Sequence, residues 1–170
     1  MNIAIVGATG LVGRKIIKLC EEFFDTSVEF QLFASKTSEG KILSVNDKDV
    51  AIKELNIKNI EPCDIALFSA GGVRSKEYAN EFVDRGAFVI DNSSTFRMND
   101  DIPLVVYGIN ENTINEKTKI IANPNCTTMA LVMALKPLHD IFKLVGIVPV
   151  SYQAVSGLSL IHISEPTRRI

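Results

Sequence analysis

Apolar and polar positions along this chain switch between a helical period and short continuous runs. Asn2–Val6 is nearly all apolar, the pattern of a strand buried on both faces. From Leu11 to Phe24 the apolar positions Val12, Ile16, Ile17, Leu19, Cys20 and Phe23 recur at helical spacing. A second strand is expected over Glu29–Ala34. Lys41–Glu54 reads as two short strands joined by a turn in Asn46-Asp47-Lys48-Asp49. Asp64–Ser69 is a further strand, closed by Ala70-Gly71-Gly72. A helix over Ser75–Arg85 and a strand over Ala87–Asp91 come next. Shorter β segments are expected at Leu104–Tyr107 and Ile120–Ala122, and a helix over Met129–Leu138 that ends near Pro137. Gly146–Val155 is apolar and β-rich, and Pro149 argues for an edge or irregular strand. Strands alternating with helices predict an α/β fold, a mostly parallel sheet with helices on both faces. The alternation stops close to Cys126, where a domain change is expected.

Composition narrows this picture without redirecting it. Of 170 residues, 46% are hydrophobic and 22% charged, with a formal net charge of −2, so nothing favours nucleic acid or an anionic membrane as partner. No apolar run approaches the roughly 18 residues that cross a bilayer, and the N-terminus runs straight into a strand without a signal-peptide pattern. The three cysteines Cys20, Cys63 and Cys126 are odd in number and lack metal-ligand spacing, so no metal is expected and a reduced, cytoplasmic setting is. Neither an internal repeat nor a low-complexity linker interrupts the chain.

Two segments carry chemistry. Gly7-Ala8-Thr9-Gly10-Leu11-Val12-Gly13 joins the first strand to the first helix with glycines at G-x-x-G-x-x-G spacing. Glycine there permits a tight turn and close approach to a pyrophosphate seated on the helix N-terminus. The sheet is therefore expected to be Rossmann-like and doubly wound, with a dinucleotide bound at this turn. After the second strand, Ser35-Lys36-Thr37-Ser38 precedes the first acid, Glu39, an environment better suited to a ribose 2′-phosphate than to a bare ribose. NADP is thus favoured over NAD. The second segment is Asn123-Pro124-Asn125-Cys126-Thr127-Thr128, which sets a cysteine at the start of an apolar helical pattern. Unpaired N–H groups and the helix dipole favour thiolate at such a position, the requirement for a nucleophile. Cys20, on an apolar helix face, and Cys63, after Pro62, read as structural. His139, at a helix end, reads as a cap rather than a catalyst.

With these motifs in order, the chain resembles the N-terminal half of the bacterial-type aspartate-semialdehyde dehydrogenases of lysine, threonine, methionine and diaminopimelate biosynthesis. The resemblance covers about residues 1 to 157. It rests on Gly7–Gly13, Ala34–Lys41, Phe68–Gly72, Val89–Met98, Asn123–Thr128 and Ser151–Gly157. It implies that Cys126 forms an acyl-thioester, that Arg97 binds the substrate phosphate, and that Gln153 and Asn125 contact substrate. It further implies cofactor contacts at Gly7, Thr9, Gly10, Leu11, Val12, Gly13, Ser35, Thr37, Ser38, Ala70, Gly71, Ser156 and Gly157. The implied partners are aspartyl phosphate or aspartate semialdehyde and phosphate, with a homodimer or dimer of dimers for the full-length enzyme. The domains become 1–125, dinucleotide-binding, and 126–157, the start of an α+β catalytic and dimerisation domain. The chemistry agrees: a thioester is a good hydride acceptor, a guanidinium fork suits a leaving phosphate, and a helix start offers donors to an oxyanion.

Two alternatives stay open here. One is an N-acetylglutamyl-phosphate reductase-like enzyme; that family resemblance would put glycine before the cysteine and an aromatic after it, against Asn125 and Thr127. The other is a non-catalytic dinucleotide-binding module, against which Cys126 and Arg97 both speak. Two departures from the family pattern stand out. Thr37 occupies the place of an arginine in the 2′-phosphate loop, which leaves use of NAD open. Residues 158–170 resemble a translated sequencing adapter, so this stretch is expected to be foreign, His162 is not cast as a base, and the polypeptide as written is expected to be poorly soluble and inactive.

Overall fold

The computed structural model describes residues 1–152. Seven strands form one sheet: β1 (Asn2–Val6), β2 (Glu29–Ala34), β3 (Ile42–Val45), β4 (Lys48–Glu54), β5 (Ile65–Phe68), β6 (Phe88–Asp91) and β7 (Ile120–Ala122). Their order is β3-β4-β2-β1-β5-β6-β7. All neighbours pair in parallel except β3 and β4. That pair is a hairpin whose two turn residues, Asn46 and Asp47, have φ of 50° and 58°, the left-handed conformation a two-residue turn demands. The order reverses around β1, so the carboxyl ends of β1 and β5 flank a topological switch point, the usual ligand crevice of such sheets.

Helix α1 (Leu11–Phe23) and helix α2 (Gly72–Asp84) cover opposite faces. Alternation along the strands sorts the core accordingly. Ile3, Ile5, Leu32 and Ile52 pack with Ile17 of α1, whereas Val6, Phe33, Phe68 and Val89 pack with Tyr78, Ala79 and Phe82 of α2. The Phe82 ring meets Phe33 and Phe68 edge-on, with centroids 5.6 and 5.3 Å away. Each such aromatic pair contributes about 1 kcal/mol beyond its buried area.

The chain falls into two compact units, Met1–Met133 and a second beginning at Ala134. Helix α3 (Cys126–Phe142) contains the division. It begins three residues before the expected Met129 because Asn125 caps it, and it continues past Pro137, which lies inside it at the cost of one backbone hydrogen bond. Three further expectations need correction. Leu104–Tyr107 is not a strand; only Leu104 bridges to Ala122, and Val105 N–H donates to the Ala122 carbonyl at 3.0 Å. Residues 143–152 contain no strand, although Gly146–Val155 has β-rich composition; the remainder of that segment lies outside the described residues. Helix α2 starts at Gly72 rather than Ser75. Among the described residues no helix is long and apolar enough to cross a membrane.

Candidate active site

The turn after β1 is built almost wholly from backbone. Gly7, at φ +95°, and Ala8 both donate their N–H to the Phe33 carbonyl, at 2.8 and 3.0 Å, and Gly10 N–H donates to the Gly7 carbonyl at 3.0 Å. A Cβ at Gly7 would stand 2.4 Å from the Ser69 carbonyl oxygen, and one at Gly13 only 2.1 Å from that of Gly7. Gly13 is therefore required by close packing of α1 on the end of β1, and Gly7 by the close approach of the backbone after β5. Gly10 caps α1 without a side chain, so the first N–H groups of the helix are left for an external anion.

A cavity of about 660 Å³ opens at this turn, within the range of small-molecule sites. Gly7, Thr9 and Gly10 form one wall; Ser35, Lys36 and Thr37 form a second, after β2; Glu54, Leu55 and Asn56 follow β4; Ser69, Ala70, Arg74 and Tyr78 complete it. Backbone donors beside hydroxyls and two cations fit a dinucleotide carrying phosphate groups. Of the residues expected to touch cofactor, Gly7, Thr9, Gly10, Ser35, Thr37 and Ala70 line this space. Leu11 and Val12 open α1 in exposed positions, Gly13 and Ser38 are buried beneath, and Gly71 precedes α2 at φ +83°. None of these five is a lining residue.

Along the same sheet end, β6 and β7 carry the second group. Arg97 Nε donates to the Asn123 carbonyl at 2.8 Å, and Nη2 donates to that of Asn92 at 2.9 Å. The Asn123 side chain in turn donates to Asn92 Oδ1 at 2.6 Å, and its backbone N–H donates to the Asp91 carbonyl at 2.8 Å. Two of the five guanidinium N–H groups are used in this way, which fixes the plane and leaves donors for an anion. The loop holding Arg97 is thus tied to Asn123, which lies after β7 and three residues before Cys126.

Cys126 is exposed at the first position of α3. Asn125 Oδ1 accepts from the Thr127 N–H at 3.0 Å and from its hydroxyl at 2.6 Å. This side-chain cap occupies one of the helix-start donors expected for an oxyanion. The N–H groups of Cys126 and Thr128 have no partner among the described residues. The other thiols are buried: Cys20 is pushed up by burial and by the Glu21 charge, and burial raises Cys63 to about 11. Gln153, Ser156 and Gly157 lie outside the described residues, as does the segment 158–170.

One group beneath the site was missed in the sequence. Asp91 is fully buried, and its carboxylate accepts from Ser75 Oγ at 2.6 Å, Ser93 Oγ at 2.6 Å and Ser93 N–H at 3.1 Å. Ser93 Oγ then accepts from Thr95 N–H at 3.1 Å, and Thr95 Oγ1 donates to the Gly72 carbonyl at 2.8 Å. The carboxylate therefore ties the start of α2 to the loop that carries Arg97. Its only signal in the sequence is an acid ending the apolar run Phe88-Val89-Ile90.

Comparison with known proteins agrees with this geometry. Residues 2–117 match the family described as semialdehyde dehydrogenase, NAD binding domain. The aspartate-semialdehyde dehydrogenase of Aquifex aeolicus is 49% identical over 159 residues, spanning 92% of this chain and 47% of that protein. That of Bacillus subtilis is 42% identical over 157 residues, spanning 92% and 45%. The chain thus spans about half the length of the curated relatives it matches. Among solved structures, aspartate semialdehyde dehydrogenase II of Vibrio cholerae complexed with ASA superposes with a TM-score of 0.73 at 42% identity, over 82% of this chain and 46% of that one. The Candida albicans enzyme with NADP gives 0.68 at 28% identity, over 83% and 47%. The glycine turn, the parallel sheet and the matched residues together establish that this chain belongs to the semialdehyde dehydrogenase family, through its NAD-binding domain.

Proposed function

We propose that this chain carries the cofactor site and the nucleophile of an NADP-dependent aspartate-semialdehyde dehydrogenase. The reaction reduces L-aspartyl 4-phosphate to the semialdehyde and releases phosphate, within the biosynthesis of the aspartate-derived amino acids. The observation that carries the reading is the Arg97 hydrogen bond to the Asn123 carbonyl, which brings an anion-binding fork to the loop of an exposed helix-start cysteine. The relatives' names support the substrate, and the NADP in the Candida structure supports the cofactor.

In this mechanism Arg97 binds the phosphoryl oxygens of the substrate. Cys126 Sγ attacks the acyl carbon, the bond from that carbon to the phosphate oxygen breaks, and phosphate leaves with the bonding pair. The turn at Gly7–Gly10, the start of α1 and the Ser35–Thr37 loop would hold NADPH, which when bound supplies the hydride. The N–H groups of Cys126 and Thr128 stabilise the oxyanion on the substrate carbon. Its collapse expels the Cys126 sulfur and releases the aldehyde. Asn125 and Gln153 contact substrate, and Ser156 and Gly157 contact cofactor. Residues 1–125 form the dinucleotide-binding domain, 126–157 begin a catalytic and dimerisation domain, and the full-length enzyme is a cytoplasmic homodimer.

The test runs in the oxidative direction with the full-length protein, aspartate semialdehyde and NADP. Sustained, multiple-turnover NADPH formation is expected to require inorganic phosphate, and all NADPH formation to vanish in Cys126→Ala. Oxidation that ignores phosphate would overturn the acyl-phosphate chemistry.

A further inference from the structure

The loop after β2 faces the cavity with Ser35, Lys36 and Thr37 and contributes no guanidinium. A dinucleotide fold places the adenosine ribose at this point, and an arginine near it is the usual partner of a 2′-phosphate. The same cavity receives Arg74 from the first turn of α2, which follows β5, the strand across β1 from β2. Arg74 has one ionic partner, Glu77, at 3.5 Å, and both side chains are half exposed. Such a contact is worth little and does not hold the guanidinium away from a ligand. Of the charged residues lining the cavity, Lys36 and Arg74 are cations and Glu54 the one anion. Glu54 is already engaged, accepting from Asn56 Nδ2 at 3.1 Å. The cavity therefore carries a net positive lining suited to a doubly charged phosphate rather than a neutral ribose hydroxyl.

We propose that Arg74 is the specificity-determining residue for the 2′-phosphate of NADPH, supplying from α2 the forked cation that the loop after β2 lacks. The inference rests on the dinucleotide reading of this cavity. A lysine at the same place would keep the charge and lose the bidentate geometry.

Binding of NADPH, NADH, 2′,5′-ADP and 5′-AMP to the full-length protein, measured by calorimetry, tests it. Arg74→Ala is expected to weaken NADPH and 2′,5′-ADP at least tenfold while changing NADH and 5′-AMP less than twofold. Arg74→Lys should fall between, and Glu77→Gln should leave all four unchanged. The exposed position of Arg74 predicts unaltered thermal stability, which separates binding from folding. Equal losses for NADPH and NADH, or an unchanged NADPH affinity in Arg74→Ala, would overturn the assignment of Arg74. Failure of the unmodified protein to bind any of the four would instead remove the dinucleotide reading itself.

Discussion

The loop after β1 and the loop after β6 lie at the same end of one sheet but are made in different ways. The first is shaped by backbone: two glycines, one of them at φ +95°, and no side-chain cap on α1. The second is shaped by side chains: the buried Asp91 carboxylate accepts from Ser75 and Ser93, and Thr95 extends that network to the Gly72 carbonyl. Beside it Arg97 donates to the Asn92 and Asn123 carbonyls, and the side chains of those two residues bond each other. A backbone-built site tolerates change everywhere except at the glycines, because only a new Cβ collides. A side-chain-built site concentrates its dependence in one polar group, because removing a buried acceptor strands several donors together.

Substitutions can break this contrast. The largest effect is expected for Gly13→Ala, whose methyl would fall 2.1 Å from the Gly7 carbonyl oxygen. Thermal unfolding should register a loss of about 3 kcal/mol or more, with nucleotide binding lost alongside. Asp91→Ala should come next, at about 2–4 kcal/mol, from stranded Ser75 and Ser93 donors. In the full-length enzyme its signature is a raised KM for phosphate with NADPH affinity preserved. Joint loss of both affinities in a folded Asp91→Asn protein would show that the two loops are not separately built.

The remaining two effects are smaller and lie outside the contrast, so they serve as its scale. Cys63 titrates at about 11 in the fold, raised by burial from the ordinary 9.0. Above the ordinary value the unfolded chain loses this proton first, so stability is complete below pH 9.0 and declines as pH rises toward 11. The expected loss is up to about 2 kcal/mol, absent in Cys63→Ala, as urea titrations across that range would record. Asn125→Ala, which removes the cap on Thr127, should cost about 1 kcal/mol of stability. Full retention in calorimetry would mean that the cap contributes nothing to α3.

The same contrast explains what could be read from the chain. The β1–turn–α1 unit was legible because glycine spacing and apolar periodicity both report on backbone. The Asn46–Asp47 hairpin was legible for the same reason, since both residues tolerate the left-handed region. Helix α2 was placed three residues late because its first turn, Gly72-Val73-Arg74, has no buried apolar position, and Val73 is 77% exposed. The apolar run Leu104-Val105-Val106 looked like a strand, yet its burial comes from packing beside β7 rather than from a ladder. Pro137 reads as a stop in the sequence, whereas the helix absorbs it. Cys126 and Arg97 could be singled out individually, but the Asn92–Asn123 bridge that joins their loops depends on β6 and β7 pairing across a 31-residue separation. Asp91 and Arg74 escaped because burial and cavity lining are tertiary properties, and neither residue carries a local pattern.

The most direct measurement of the central claim is a half-reaction in the full-length protein. Aspartate semialdehyde and NADP, mixed without phosphate, should give a stoichiometric burst of NADPH and leave an aspartyl thioester on the peptide containing Cys126, seen by mass spectrometry. Later addition of phosphate should discharge it. A burst with the adduct on another residue, or phosphate-dependent turnover that persists in Cys126→Ala, would contradict the account.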